Sequence, residues 1–370
     1  MKIGFDAKRL FHNTTGLGNY SRDLIRILAK YYPENQYVLY NPKNQTKNLF
    51  STTSSSIIEK KPDSFLSKKL KSLWRTFGIS SELLKDKIAI YHGLSGEIPF
   101  FIPKKIKKIV TIHDLIFMRY PKLYPILDRK IHFFKFKYAA KKSDKIIAIS
   151  EQTKQDIVDF LKINPQKIDV IYQGCAAIFK EFIADSDLEI VRNKFNLPEK
   201  FILNVGTIEP RKNALTIVKS VKKTEIPLLL IGEKTSYYSE IDSYIEKNKM
   251  TNVFYLSNIS QFELACIYRL ATVFVYPSIF EGFGIPIIEA LYSKTPVITN
   301  KYGVFPEAGG PSSIYINPNS VEDLQTAILD LWQNETKRKE IATQGFEFVQ
   351  KFNDEKLASI WDSLYTKINS

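Results

Sequence analysis

Cysteine is scarce in this chain. Cys175 and Cys266 are the only two in 370 residues, which excludes a disulfide scaffold and a cysteine-rich zinc module. Long apolar runs are absent too. A stretch such as Ile226–Gly232 has the length of a core strand, far short of the roughly 18–20 residues that cross a bilayer. The N-terminus reads MKIGFDAKRL, with Asp6 where a signal peptide would need an apolar stretch. These absences lead us to expect a soluble protein of a reducing, cytoplasmic compartment. Hydrophobic residues at 44% and charged residues at 25% lie near globular averages and exclude a disordered or collagen-like chain.

Acidic residues are the other shortage, and it is unevenly spread. Residues 1–180 carry 33 Lys and Arg against 15 Asp and Glu, whereas residues 181–370 carry 20 against 24. A basic half suits an anionic partner: nucleic acid, an acidic membrane surface or a phosphorylated substrate. A scatter of solvated lysines would give the same count. No helix-turn-helix, RNP or zinc pattern accompanies the charge, so nucleic acid is not the expected partner.

Short β-branched and aromatic runs alternate with amphipathic stretches, the pattern of parallel sheets covered by helices. Strands are expected at Lys2–Asp6, Tyr37–Tyr40, Ile88–His92, Lys108–His113, Lys145–Ser150 and Ile168–Ile171. A second series follows at Phe201–Val205, Pro227–Ile231, Val253–Tyr255, Val273–Tyr276 and Pro296–Thr299. The reading is α/β, with two Rossmann-like domains at 1–180 and 181–352 facing a deep cleft. A last helix over 353–367 is expected to return to the first domain.

Four strand-end loops could carry chemistry. Thr15-Gly16-Leu17-Gly18-Asn19 opens the first helix, and its glycines would let backbone N–H groups approach an anion. A dinucleotide fingerprint would need a third glycine where Ser21 stands. Gly206-Thr207-Ile208-Glu209-Pro210-Arg211-Lys212-Asn213 sets two cations at a helix start, an arrangement that opposes the helix dipole unless an anion lies between them. Pro277 to Ala290 holds Glu281, Gly282, Phe283, Gly284, Ile285 and Glu289. Two carboxylates beside exposed backbone donors suit a polyhydroxylated ligand. Glu281 is expected in a loop, with little folding energy, and Glu289 in the first helical turn. Thr111-Ile112-His113-Asp114 ends a strand of the first half. Asp185-Ser186-Asp187 reads as helix-start chemistry rather than a metal site, and no metal site is expected.

Together, S-x-F-E-G-F-G-x-P-x-x-E-A, G-T-x-E-P-R-K-N, T-x-H-D and G-L-G-N-Y-S resemble a retaining family-four glycosyltransferase of the glycosyltransferase B fold. The likeness spans nearly the whole chain. It implies that Glu281 contacts donor sugar hydroxyls, Glu289 the ribose, and Arg211 and Lys212 the diphosphate. Phe283, Gly284 and Ile285 would offer backbone amides, Gly16 and Gly18 would approach phosphates, and His113 would lie beside the transferred sugar. Thr207 occupies a donor-binding position where many relatives carry Arg, and Lys294 stands where a small residue is usual.

The implied reaction moves a hexose or deoxyhexose from a nucleotide diphosphate sugar, with a GDP-mannose type favoured, to a glycan or lipid-linked acceptor. No cofactor is expected beyond that donor, and anomeric configuration is retained. An epimerase or phosphorylase on the same fold is the rival enzyme. Ser64–Phe77, SFLSKKLKSLWRTF, has an apolar face beside lysines, which suits peripheral contact with an anionic membrane at its inner face.

Overall fold

The computed structural model describes residues 1–45, 48–62 and 74–370. It divides into two compact units, one of Met1–Gly174 with Phe352–Ser370 and the other of Cys175–Lys351.

In the first unit a parallel seven-stranded sheet runs in the order β3-β2-β1-β4-β5-β6-β7. Its strands are β1 Lys2–Asp6, β2 Gln36–Tyr40, β3 Ile57–Lys60, β4 Ile90–Gly93, β5 Lys107–Ile112, β6 Lys145–Ala148 and β7 Ile168–Val170. The second unit holds a parallel six-stranded sheet in the order β10-β9-β8-β11-β12-β13. Here β8 is Ile202–Val205, β9 Leu228–Ile231, β10 Val253–Leu256, β11 Val273–Tyr276, β12 Val297–Asn300 and β13 Ile314–Ile316. Each sheet reverses its winding between its first and fourth strands in chain order. That reversal opens a crevice at the strand C-termini, between β1 and β4 and between β8 and β11, where such sheets bind ligands.

Strands buried on both faces read as continuous apolar runs, which is why most were legible. Of the four edge strands, β7 and β10 were expected, and β3 and β13 were not. Each pairs on one side only, and β3 reads Ile-Ile-Glu-Lys with only partial burial. Ser150 caps the Glu151–Leu161 helix as expected, its side chain accepting from the Thr153 N–H. Lys294 has φ +56°, a left-handed turn that favours a residue without Cβ and fits the small residue the resemblance implies there.

Side chains of the first sheet alternate between two cores. Ile3, Phe5, Tyr37 and Leu39 point to one face, and Val38, Tyr40, Tyr91 and Val110 to the other. The last helix, Asp354–Asn369, completes the first of these cores with Leu357, Ala358, Trp361, Leu364 and Tyr365. Asn353 caps it by accepting from the Lys356 N–H at 2.9 Å. A buried polar chain runs inward from this helix. The Tyr365 hydroxyl lies 2.8 Å from His92 Nδ1, and His92 Nε2 lies 2.8 Å from the Thr111 hydroxyl. Burial, reinforced by nearby His113, lowers the His92 imidazole to about 3, so the ring stays neutral.

Trp361→Ala should therefore remove a wall of the first unit's core and cost about 3–5 kcal/mol. Tyr365→Phe, which strips one hydrogen bond from a buried imidazole, should cost about 1–3 kcal/mol. Urea unfolding of the two variants should preserve this order.

Candidate active site

The crevice of the second unit is closed by ion pairs. The loop after β8 turns at Gly206 and runs through the short 3-10 turn Pro210–Lys212 into the Ala214–Ser220 helix. Gly206 needs glycine for its φ of +151°, since a Cβ there would meet nothing closer than 3.8 Å, whereas just past β9 a Cβ on Gly232 would lie 2.0 Å from the Gly206 carbonyl oxygen. The loop after β11 leads through Glu281 to the Ile285–Tyr292 helix. The two loops are stitched together. Ile279 N–H donates to the Arg211 carbonyl at 2.9 Å, and Arg211 Nη1 donates to the Phe280 carbonyl at 2.6 Å. Asn213, left-handed at φ +61°, reaches the Pro318 carbonyl at 2.6 Å.

Glu281 lies where these loops meet, and the anion between Arg211 and Lys212 is its carboxylate. Lys212 Nζ is 2.5 Å from Oε1 and Arg211 Nη1 is 3.0 Å from Oε2. The Ser278 hydroxyl donates to Oε1 at 2.6 Å and the Tyr276 hydroxyl at 3.0 Å. Lys212 also donates to the Tyr276 hydroxyl at 2.8 Å, and Arg211 pairs with Glu209 at 2.5 Å. Burial alone would raise the Glu281 carboxyl, but Lys212 and Arg211 hold it at about 2. Burial lowers Lys212, against the attraction of Glu281. The expectation of a loop glutamate with little folding energy is thus corrected. Its side chain is only 12% exposed and neutralises two largely enclosed cations.

Glu289 lies apart from that network. Gly284, left-handed at φ +115°, caps the Ile285–Tyr292 helix. Glu289 is the fifth residue of this helix, one turn later than expected, and the first turn holds no acidic residue. Its Oε2 accepts from the Tyr268 hydroxyl at 3.0 Å. Burial pushes its carboxyl up to about 7, against that hydrogen bond. Phe283 is buried, Ile285 half-buried and Thr207 half-buried just past the tip of β8. The partners of the two glutamates, Tyr268, Tyr276 and Ser278, were not singled out in the sequence. Tyr276-x-Ser278-x-x-Glu281 was the available signal, a strand end turning its hydroxyls toward one carboxylate.

In the first unit, Gly16 and Gly18 begin the Gly16–Tyr31 helix. A Cβ on Gly16 would meet nothing within 4 Å, whereas one on Gly18 would lie 1.9 Å from the Asn13 carbonyl oxygen. The Gly18 N–H already donates to Thr15 O at 2.9 Å and Asn13 Oδ1 at 3.1 Å. Gly18 therefore serves the turn, and the expectation of an amide open to phosphate holds no support at this position. His113 follows β5 and is buried. Its Nε2 donates to the Leu94 carbonyl at 2.8 Å, and the Gln173 amide meets Nδ1 at 2.9 Å. Burial lowers its imidazole to about 4. Both nitrogens are engaged, so the ring is neutral and positioned rather than poised for proton transfer. Tyr20, from the helix that Gly16 opens, packs edge-on against it at 4.6 Å. Among the described residues no cluster of His, Cys, Asp and Glu has metal-holding geometry; Asp185 and Asp187 lie in the first turn of the Asp185–Lys194 helix.

The ion network makes a stability prediction. Glu281→Ala should cost about 3–5 kcal/mol, because it leaves Arg211 and Lys212 enclosed without their carboxylate. Adding Lys212→Met to it should recover part of that loss. Because the folded carboxyl titrates below its unfolded value, its contribution is complete above about pH 5 and is lost as pH falls through about 2. Chemical denaturation of the single and double variants at neutral and acid pH measures all three.

Two family models match this chain. Residues 185–348 fit the description "Glycosyl transferases group 1", and residues 15–176 fit "Glycosyltransferase Family 4". The chain is 26% identical to the O-antigen chain mannosyltransferase B of Escherichia coli, over 95% of this chain and 96% of that one. It is 30% identical to the O-antigen chain mannosyltransferase RfbU of Salmonella typhimurium, over 63% of each. Among solved structures, the sucrose-phosphate synthase of Thermosynechococcus elongatus superposes with a TM-score of 0.80 at 21% identity, over 100% of this chain and 99% of that one. Anabaena HepE in complex with UDP and glucose gives 0.78 at 16%, over 99% and 100%. With both halves matched and the same two-sheet architecture throughout, the chain belongs to the family-four glycosyltransferases and carries the glycosyltransferase B fold.

Proposed function

We propose that this chain transfers a hexose or deoxyhexose from a nucleotide diphosphate sugar, of the GDP-mannose type, to a sugar acceptor in lipopolysaccharide or lipid-linked glycan assembly. The observation that carries this reading is the oriented cation pair at the tip of β8, with Arg211 and Lys212 fixed at 3.0 and 2.5 Å from one carboxylate. The names of the O-antigen mannosyltransferase relatives support mannose as the transferred sugar and a glycan as the acceptor.

Loss of a nucleoside diphosphate concentrates negative charge on a phosphate oxygen while the sugar becomes oxocarbenium-like. Fixed cations and the N-terminus of the Ile285–Tyr292 helix offset that charge without reorganising during the step. The bond from the anomeric carbon to the diphosphate breaks, the acceptor oxygen bonds to the same face, and its proton passes to the departing phosphate oxygen. This sequence retains configuration. Glu281 as a covalent nucleophile is the weaker reading, because its oxygens accept from four side chains and its carboxyl titrates near 2. Such a carboxylate suits donor hydroxyls better than attack. His113, neutral and held at both nitrogens, is a positioning residue in this scheme.

A hydrolysis and transfer screen over UDP-, GDP-, dTDP- and ADP-sugars should show GDP-mannose consumed and an α-linked product by NMR. Consumption of a UDP-sugar alone would move the assignment of the base, and an inverted product would overturn the mechanism. Activity should persist in excess EDTA, since cationic side chains supply the charge that a divalent ion would otherwise provide.

Glu289 makes a separate prediction. A ribose diol donates to a carboxylate, so nucleotide binding should favour the ionised form of a group that titrates at about 7 when free. Binding should release a proton, and affinity should fall about tenfold per pH unit below about pH 6. Calorimetry in buffers of different ionisation enthalpy reads the proton directly. In Glu289→Gln the release should vanish; its persistence would place the ribose elsewhere.

A further inference from the structure

The first unit buries two kinds of polar side chain. Some close the fold on itself. Trp74 is buried with its indole N–H donating to Glu82 at 2.7 Å, and Arg75 pairs with Asp6 and Glu97 at 2.5 and 2.7 Å. Both belong to Ser64–Phe77, the segment expected at a membrane, of which residues 63–73 lie outside the described residues. The expectation of Trp74 and Arg75 as membrane contacts is therefore corrected. Others converge on His113.

Four elements hold this residue. Its carbonyl accepts from the Thr153 hydroxyl of the Glu151–Leu161 helix at 2.9 Å. The Tyr20 ring, edge-on to the imidazole, is pinned in turn, its hydroxyl lying 3.3 Å from that of Thr111, which meets His92. The Leu94 carbonyl takes one ring nitrogen and Gln173 the other. Gln173 is only 4% exposed. It stands three residues past β7 and beside Gly174, where the chain first leaves this unit. Its neighbour Tyr172 packs edge-on at 5.5 Å against Phe352, where the chain returns. Nothing in the local sequence singled Gln173 out.

These contacts leave the ring one protonation state. A carbonyl oxygen only accepts, so Nε2 carries the proton that it gives to Leu94. Nδ1 then offers a lone pair, and the Gln173 side-chain amide supplies the donor at 2.9 Å. A donor at Nδ1 opposes protonation of that atom. Burial acts in the same direction, followed by the charge of Arg9. Asp114, next in the chain, turns its carboxylate to the Ile116 N–H at 3.0 Å.

Charge gives that state a consequence. In the transfer proposed above the sugar becomes oxocarbenium-like, and an imidazolium beside it would repel the charge that must develop. We propose that Gln173 is a positioning residue for this reaction, its amide fixing the His113 ring in the Nε2–H form so that an uncharged imidazole faces the transferred sugar. The role rests on the placement of His113 beside that sugar, which belongs to the glycosyl-transfer reading. Glutamine suits the task and glutamate does not. A carboxylate at 173 would demand a proton on Nδ1 while Leu94 demands one on Nε2, and only the cation satisfies both.

Long-range ¹H–¹⁵N NMR of the full-length protein, labelled at its four histidines, reads the ring directly, and His113→Ala assigns its signals. At neutral pH the parent should show Nε2 protonated and Nδ1 bare. Gln173→Glu should show both protonated, and turnover should fall about tenfold or more while nucleotide affinity changes by less than about twofold. Gln173→Met neither donates nor carries charge. It should raise the pH at which the ring protonates and lower turnover about threefold, again at constant nucleotide affinity. Thermal melts establish folding, and Gln173→Met carries the test if Gln173→Glu unfolds. A parent ring protonated at Nδ1, or a neutral ring in Gln173→Glu, would overturn the proposal. So would full turnover in both Gln173 variants while His113→Ala is impaired. Full turnover in His113→Ala would overturn it differently, by removing the ring from the sugar. Absence of transfer from every donor would fault the glycosyl-transfer reading instead, with the tautomer still decided by the spectra.

Discussion

A parallel sheet that reverses its winding leaves a crevice at its centre, with backbone amides and no side chain obliged to fill it. This chain meets that constraint with buried opposite charges. In the second unit Glu281 binds Arg211 and Lys212 where the loops after β8 and β11 meet. The first unit has a counterpart at the end of β1. Asp6 is 3% exposed and accepts from Arg75 Nε at 2.9 Å, while Arg75 also reaches Glu97. Burial raises the Asp6 carboxyl but Arg75 more than offsets it, so the group titrates below its ordinary value. Each pair costs desolvation that hydrophobic residues would avoid. In return, each fixes the loops at a strand tip to within hydrogen-bonding distance.

Such pairing also separates the two glutamates that stand eight residues apart in sequence. Glu281 has two cations and two hydroxyls, and stays ionised at any ordinary pH. Glu289 has one phenolic donor and is half-protonated near neutrality. Identical side chains at the same crevice thereby become a permanent anion and a group whose charge follows its ligand. Environment, and not residue type, makes that division.

The sheets were largely legible because their central strands are buried on both faces and therefore continuous in hydrophobicity. Val273–Tyr276 and Lys2–Asp6 coincide with the expected strands. Edge strands such as Ile57–Lys60 carry half the burial and half the signal. At the site, residue types drew attention to the loops after β8 and β11, but partnership across the sheet could not be read locally. Arg211 and Glu281 are 70 positions apart, and they meet only because β8 and β11 are neighbours. The same limit explains Gly18. Its sequence context suggests anion binding, yet the demand for glycine comes from the Asn13 carbonyl folding back beneath it. Arg75 likewise looked like one cation of a basic face, until Asp6 and Glu97, both distant in sequence, were brought beside it.

The charge count around Arg211 places a further condition on the proposed chemistry. Glu209 and Glu281 already balance Arg211 and Lys212, so an incoming diphosphate meets oriented cations but no net positive charge in this cluster. Its stabilisation must then come from two sources. One is geometry, since donors already fixed in place pay no reorganisation when charge develops. The other is the dipole of the Ile285–Tyr292 helix, which presents N–H groups and no acidic residue in its first turn. On this account the absence of acid from that turn matters as much as the presence of Arg and Lys. Glu289, one turn further on and only partly ionised near neutrality, places less negative charge near the helix N-terminus than a fully ionised carboxylate would, until a ligand hydroxyl arrives to stabilise it.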